Sequence, residues 1–143
     1  MRLLIVDDEK FVLKKTALNF SKENWTIDLA SSYESAYENI NSKKYDIIIC
    51  DYCFWSSELK SWLDLIKQIR NEWNTTPVIL LTWKNLDKIT PWTALESWFD
   101  DFLKKPFEPK ELKARILAIL RIKNLRLENL SNSLFFNDLE INF

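Results

Sequence analysis

Four short stretches of the sequence carry side chains suited to metal and phosphoryl chemistry: the acid pair Asp7-Asp8, the acid Asp51, the hydroxyl of Thr82 and the ammonium of Lys105, which Pro106 follows. Carboxylates that converge repel one another unless a hard cation lies among them, and carboxylate and carbonyl oxygens suit Mg²⁺. A lysine and a hydroxyl facing a magnesium-bound carboxylate form a cradle for a phosphoryl group. Taken singly, each residue has a plainer reading. An Asp pair after a strand often caps the next helix, and a Thr there is commonly a turn residue. The argument rests on the combination and its order. Other chemistries are removed by what the chain lacks. It has no histidine, so no Ser-His-Asp triad, Cys-His pair, histidine metal site or phosphohistidine carrier can be built from it. Cys50 and Cys53 spell Cys-x-x-Cys, but redox chemistry of that type wants a helix N-terminus and zinc wants two further ligands. Cys50 reads as a small core residue and Cys53 as a loop residue.

For these residues to meet, each must stand at the end of an element that aims it at a common point. The apolar pattern supplies such elements. Strands are predicted over Leu3 to Val6, Thr26 to Ala30, Tyr45 to Cys50, Pro77 to Leu81 and Asp101 to Lys104. Runs such as Ile47-Ile48-Ile49 and Val78-Ile79-Leu80-Leu81 have no polar face, which suits strands covered on both sides. Helices are predicted over Lys10 to Ser21, Ser32 to Asn41, Leu59 to Asn71, about Pro91 to Ser97, and Pro109 to Leu127. Strands alternating with helices give an α/β fold, a doubly wound five-stranded parallel sheet with five helices. In such a sheet ligands sit beyond the carboxyl ends of the strands. Asp7-Asp8, Asp51, Thr82 and Lys105 all fall at those ends. Past Leu127, Asn129 to Ser133 reads as a linker, and Leu134 to Phe143 as two short strands around a turn at Asn137-Asp138.

Composition narrows the class further. The chain has 143 residues, 47% hydrophobic and 29% charged, with a net charge of -1. That balance fits one globular domain and argues against a nucleic-acid-coating or polybasic membrane protein. No apolar run approaches the roughly 20 residues needed to span a bilayer, and the N-terminus turns acidic too soon for a signal peptide. A cytoplasmic location is expected. One feature is abnormal: the chain has no glycine and seven tryptophans.

The motifs Ile5-Val6-Asp7-Asp8-Glu9, Tyr45-Asp46-Ile47-Ile48-Ile49-Cys50-Asp51, Pro77-Val78-Ile79-Leu80-Leu81-Thr82 and Asp101-Phe102-Leu103-Lys104-Lys105-Pro106-Phe107 together resemble the receiver domain of bacterial two-component response regulators. That family has the flavodoxin-like, CheY-like fold with strand order 2-1-3-4-5. The continuation Pro109-Lys110-Glu111-Leu112-Lys113-Ala114-Arg115-Ile116 resembles the OmpR/PhoB-type subfamily, in which a winged-helix DNA-binding domain follows. The resemblance implies a receiver domain over residues 1–122, and a linker with the truncated start of the effector domain over 123–143. It implies a signalling domain, with no DNA binding by this truncated chain and no membrane. Asp51 would be the phosphoacceptor, receiving its phosphoryl group from a sensor histidine kinase. Asp7, Asp8, Asp51 and the backbone carbonyl of Cys53 would hold Mg²⁺. Lys105, before a cis-proline bond, would bridge to the phosphoryl oxygens, Thr82 would close onto them, and Phe102 would be the switch aromatic. The surface of the fourth helix, fifth strand and fifth helix would form a homodimer, with Lys110, Arg115 and Arg121 facing Asp100 and Asp101 across a twofold.

The sequence also departs from that pattern. The loop after Asp51 is longer and lacks the usual proline and glycine, and Trp83 stands where a small residue normally follows Thr82. These departures keep open a degenerate receiver that binds partners without phosphorylation. An aspartyl-nucleophile phosphatase would want another Asp two residues after the nucleophile, where Cys53 stands. Trp62, Trp73 and Trp98 occupy positions where relatives have glycine, and Trp55, Trp83 and Trp92 lie in expected turns. A genome that reads UGA as glycine, translated with a table giving tryptophan, produces the excess and the absence together. The alternative is a tryptophan-rich binding surface.

Overall fold

The computed structural model describes residues 1–52, 62–82 and 99–141. Strands β1 (Arg2–Val6), β2 (Thr26–Ala30), β3 (Ile47–Tyr52), β4 (Val78–Thr82) and β5 (Asp101–Lys104) alternate with helices α1 (Lys10–Leu18), α2 (Tyr33–Ser42) and α3 (Trp62–Asn71); α4 (Pro109–Ile141) follows β5. The strands pair in parallel in the order β2-β1-β3-β4-β5. This is the doubly wound flavodoxin-like sheet expected from the sequence. Four helices are described; the further one expected near Pro91 to Ser97 lies outside the described residues.

The side-chain alternation of a strand sorts the apolar runs into two cores. Leu4, Val6, Ile48, Cys50, Val78 and Leu80 face one side and meet Ala36 and Ile40 of α2 and Leu65, Ile66 and Ile69 of α3. Leu3, Ile5, Ile47, Ile49, Ile79 and Leu81 face the other and meet Leu13 of α1 and Leu112 and Ile116 of α4. A strand clothed on both sides needs a side chain of apolar type at every position, which explains the unbroken runs. Each such side chain contributes about 1.5–3 kcal/mol of burial. Helix α2 begins where Ser32, in extended conformation, accepts a hydrogen bond from the Ser35 amide at 3.1 Å, relieving one orphan donor of the first turn.

The C-terminal part of the chain corrects the sequence reading. In place of a linker over Asn129 to Ser133 and two strands from Leu134 onward, α4 continues unbroken to Ile141. After Pro109 the chain meets no proline, and it has no glycine anywhere. A helix rich in Leu, Lys, Arg and Glu therefore encounters no strong breaker, and Asn137-Asp138 alone does not stop it. Among the described side chains of α4, Leu112, Ile116, Ile119 and Leu120 pack on the sheet, whereas Ile122, Leu125, Leu127 and Leu130 are exposed.

Candidate functional site

Register brings the acids together. Val6 of β1 is aligned with Cys50 of β3, so the next residue of each strand, Asp7 and Asp51, emerges side by side. The chain switches sides of the sheet between these two strands, which is where an open α/β sheet leaves a crevice. Asp51 lies within β3, paired with Leu81, rather than just beyond the strand as expected. Tyr52 is aligned with Thr82, and Thr82 with Lys104, which sets Lys105 at the same rim. The Lys105 amide donates to the Thr82 carbonyl at 2.7 Å, and the Lys105-Pro106 bond is cis, as the resemblance implied.

At that rim, carboxylate oxygens of Asp7, Asp8 and Asp51 all lie within 4.8 Å of one another. Asp7 and Asp51 are buried and Asp8 is exposed, so the cluster opens to solvent on one side. Lys105 Nζ donates to Asp51 Oδ1 and forms an ion pair with it, with both side chains about nine-tenths buried. Asp7 Oδ1 accepts from the Glu9 amide at 2.9 Å. The capping reading of the acid pair is thereby set aside, because the N-cap of α1 is Glu9, and its own side chain caps nothing. Burial pushes the Asp7 carboxyl up to about 7; the Glu9 amide opposes that shift, and the nearby charge of Asp51 adds to it. Holding one proton relieves the crowding of negative charge. A divalent cation would relieve it more completely.

The donor set suits such an ion. Two oxygens on opposite sides of a cation at Mg²⁺–oxygen distance are about 4.2 Å apart, close to the span of this cluster. All donors are hard carboxylate oxygens, and the exposed side leaves space for water, which Mg²⁺ gives up reluctantly. Among the described residues these three are the group of acids arranged to hold a metal ion. Thr82 is fully buried at the end of β4. Cys53 lies outside the described residues, as does Trp83. The Glu9 amide is a contributor that sequence reasoning missed, since a backbone donor carries no residue-type signal.

Residues 3–117 match the family model described as the response regulator receiver domain. The chain belongs to that family. Receiver relatives include the response regulator ArlR of Staphylococcus epidermidis, 35% identical over 121 residues covering 83% of this chain and 52% of the relative. The transcriptional regulatory protein DltR of Streptococcus agalactiae is 32% identical over 148 residues, covering 98% and 63%. The alkaline phosphatase synthesis transcriptional regulatory protein PhoP of Bacillus subtilis is 31% identical over 122 residues, covering 84% and 48%. These are OmpR/PhoB-type regulators, and the chain spans about half to three-fifths of their length. Among solved structures, a two-component response regulator from Clostridium difficile is 34% identical with a TM-score of 0.75, covering 87% of this chain and 98% of that one.

Two further groups singled out from the sequence can be placed. Phe102, on β5, is half-buried and packs against the core that faces α2 and α3. The acids expected to reach across a twofold are engaged within the chain. Both oxygens of Asp101 accept from Arg115 Nη1, at 3.1 and 3.0 Å. Asp100 accepts from the Val78 amide at 2.8 Å and lies 3.5 Å from Arg70. Arg115 is one turn and a half into α4, directly over the start of β5, so it finds Asp101 without a partner chain. Among the described residues, no helix is long and apolar enough to cross a membrane.

Proposed function

We propose that this receiver is a phosphorylation switch that accepts a phosphoryl group on Asp51 from the phosphohistidine of a sensor histidine kinase. The observation that carries the reading is the buried Asp51 carboxylate, flanked by Asp7 and Asp8 and paired with Lys105. Asp7, Asp8 and Asp51, with the backbone carbonyl of Cys53, would hold Mg²⁺. When bound, the ion supplies positive charge against the equatorial phosphoryl oxygens.

A carboxylate oxygen of Asp51 attacks phosphorus in line. The new P–O bond forms as the P–N bond to the kinase imidazole breaks, and the imidazole leaves with the bonding pair. Lys105 transfers its ion pair from the Asp51 oxygen to a phosphoryl oxygen, and the Thr82 hydroxyl closes onto another. The acyl phosphate brings nearly two negative charges to the rim. Phe102 follows Thr82 inward, and the surface around β5 and the C-terminal helix changes so as to engage a second copy. Residues 1–122 act as the receiver. Residues 123–143 lead from it towards an effector domain and bind no DNA themselves. The switch acts in the cytoplasm, where a sensor kinase presents its phosphohistidine.

Incubation with Mg²⁺ and acetyl phosphate, followed by intact mass, tests the reading. One phosphoryl adduct is expected, absent without Mg²⁺ and absent in Asp51→Asn. No adduct under any condition would overturn it in favour of a phosphorylation-independent binding module. Continuous turnover of a phosphoester would mark a phosphatase.

A further inference from the structure

Helix α3 closes on a geometry suited to glycine. The Trp73 amide donates to the Arg70 carbonyl at 3.1 Å, and the Asn74 amide donates to the Ile69 carbonyl at 2.9 Å. These paired bonds form a Schellman closure, which turns the residue after the helix into the left-handed region. Trp73 accordingly has φ 64°, and among the described residues it is the one non-glycine residue with positive φ. A Cβ there crowds the following carbonyl oxygen, and a bulky side chain makes the position a genuine outlier. Burial does not offset that strain, because Trp73 is 89% exposed.

Trp25 behaves differently. Its ring stands 5.3 Å from that of Phe20, and it is partly buried against the core beneath α1 and α4. That is an environment in which a large aromatic is favourable. The two tryptophans thus divide into one that fits its residue type and one that opposes it. Composition gives an independent sign of the same thing. At about 7% glycine usage, a chain of this length lacks glycine entirely by chance only about three times in 100,000, yet here the count is zero.

We infer that residue 73 is glycine in the protein as its own cell makes it, through a codon that the cell reads as glycine and this sequence renders as tryptophan. Residues 55, 62, 83, 92 and 98 share that codon, whereas Trp25 is a true tryptophan.

Tandem mass spectrometry of peptides from the protein isolated from its source cells decides the question without refolding. Glycine at 73 with tryptophan at 25 is the expected result, and the peptide spanning 73 is lighter by the mass difference of the two residues. Tryptophan at 73 would overturn the inference. A second test uses the chain expressed with all seven tryptophans. Trp73→Gly should shift the folding equilibrium about tenfold towards the native state, and Trp25→Gly should shift it the other way. A Trp73→Gly variant that unfolds more readily would overturn the argument from α3.

Discussion

Titrating the receiver with Mg²⁺ at about pH 8, and again at about pH 5.5, isolates the ionisation of Asp7. Its carboxyl is pushed up to about 7, chiefly by burial, and an ion that needs the carboxylate must displace that proton. For a single group with a midpoint near 7, the ionised fraction falls from about nine-tenths at pH 8 to about one-thirtieth at pH 5.5, so apparent affinity should drop roughly 30-fold. Calorimetry in two buffers of different ionisation enthalpy gives the proton count directly. About one proton should be released per ion bound at the lower pH, and close to none at the higher. Asp7→Asn should bind more weakly and lose most of the pH slope. Equal affinity at the two pH values would refute the reasoning, because it would mean that Asp7 either is already ionised or takes no part. Without the ion the sign for stability is opposite to that of an ordinary aspartate. The folded value lies above the ordinary aspartate value of about 3.8, so the folded chain holds the proton more tightly than the unfolded one. The stability Asp7 contributes is fully present below about 3.8 and is lost as pH rises through about 7.

Removing the ammonium by Lys105→Ala leaves the buried Asp51 charge without that ion pair and should cost about 3 kcal/mol in urea unfolding without Mg²⁺; added Mg²⁺ should restore part of it. Ile49→Ala empties a fully buried position on the central strand, and should lower the unfolding free energy by about 2–5 kcal/mol. Ser32→Ala removes the hydrogen bond that starts α2 and should cost about 1 kcal/mol, with acetyl phosphate uptake unchanged.

The fold was legible because strands covered on two sides advertise themselves. Ile47-Ile48-Ile49 and Val78 to Leu81 have no polar face, and the two cores divide those residues by strict alternation. The rim was legible because acids, a hydroxyl and a lysine follow directly on those runs. What the sequence concealed depends on contacts distant along the chain or on backbone groups. The hold of the Glu9 amide on Asp7 has no residue-type signature. The engagement of Asp101 by Arg115 depends on how α4 lies over β5, which charge patterning along the chain does not reveal. The tail was misread for a local reason. Asn137-Asp138 is a turn signal chiefly when a glycine follows, and this chain has none.

The 33-residue helix that follows β5 gives the receiver a long arm. Its fulcrum is the sheet, gripped by Leu112, Ile116, Ile119 and Leu120; from Leu120 to Ile141 it extends about 32 Å at 1.5 Å per residue. A tilt of about 5° at the gripped end sweeps the tip through about 3 Å over that length. The far end of the helix therefore moves farther than the residues that grip it.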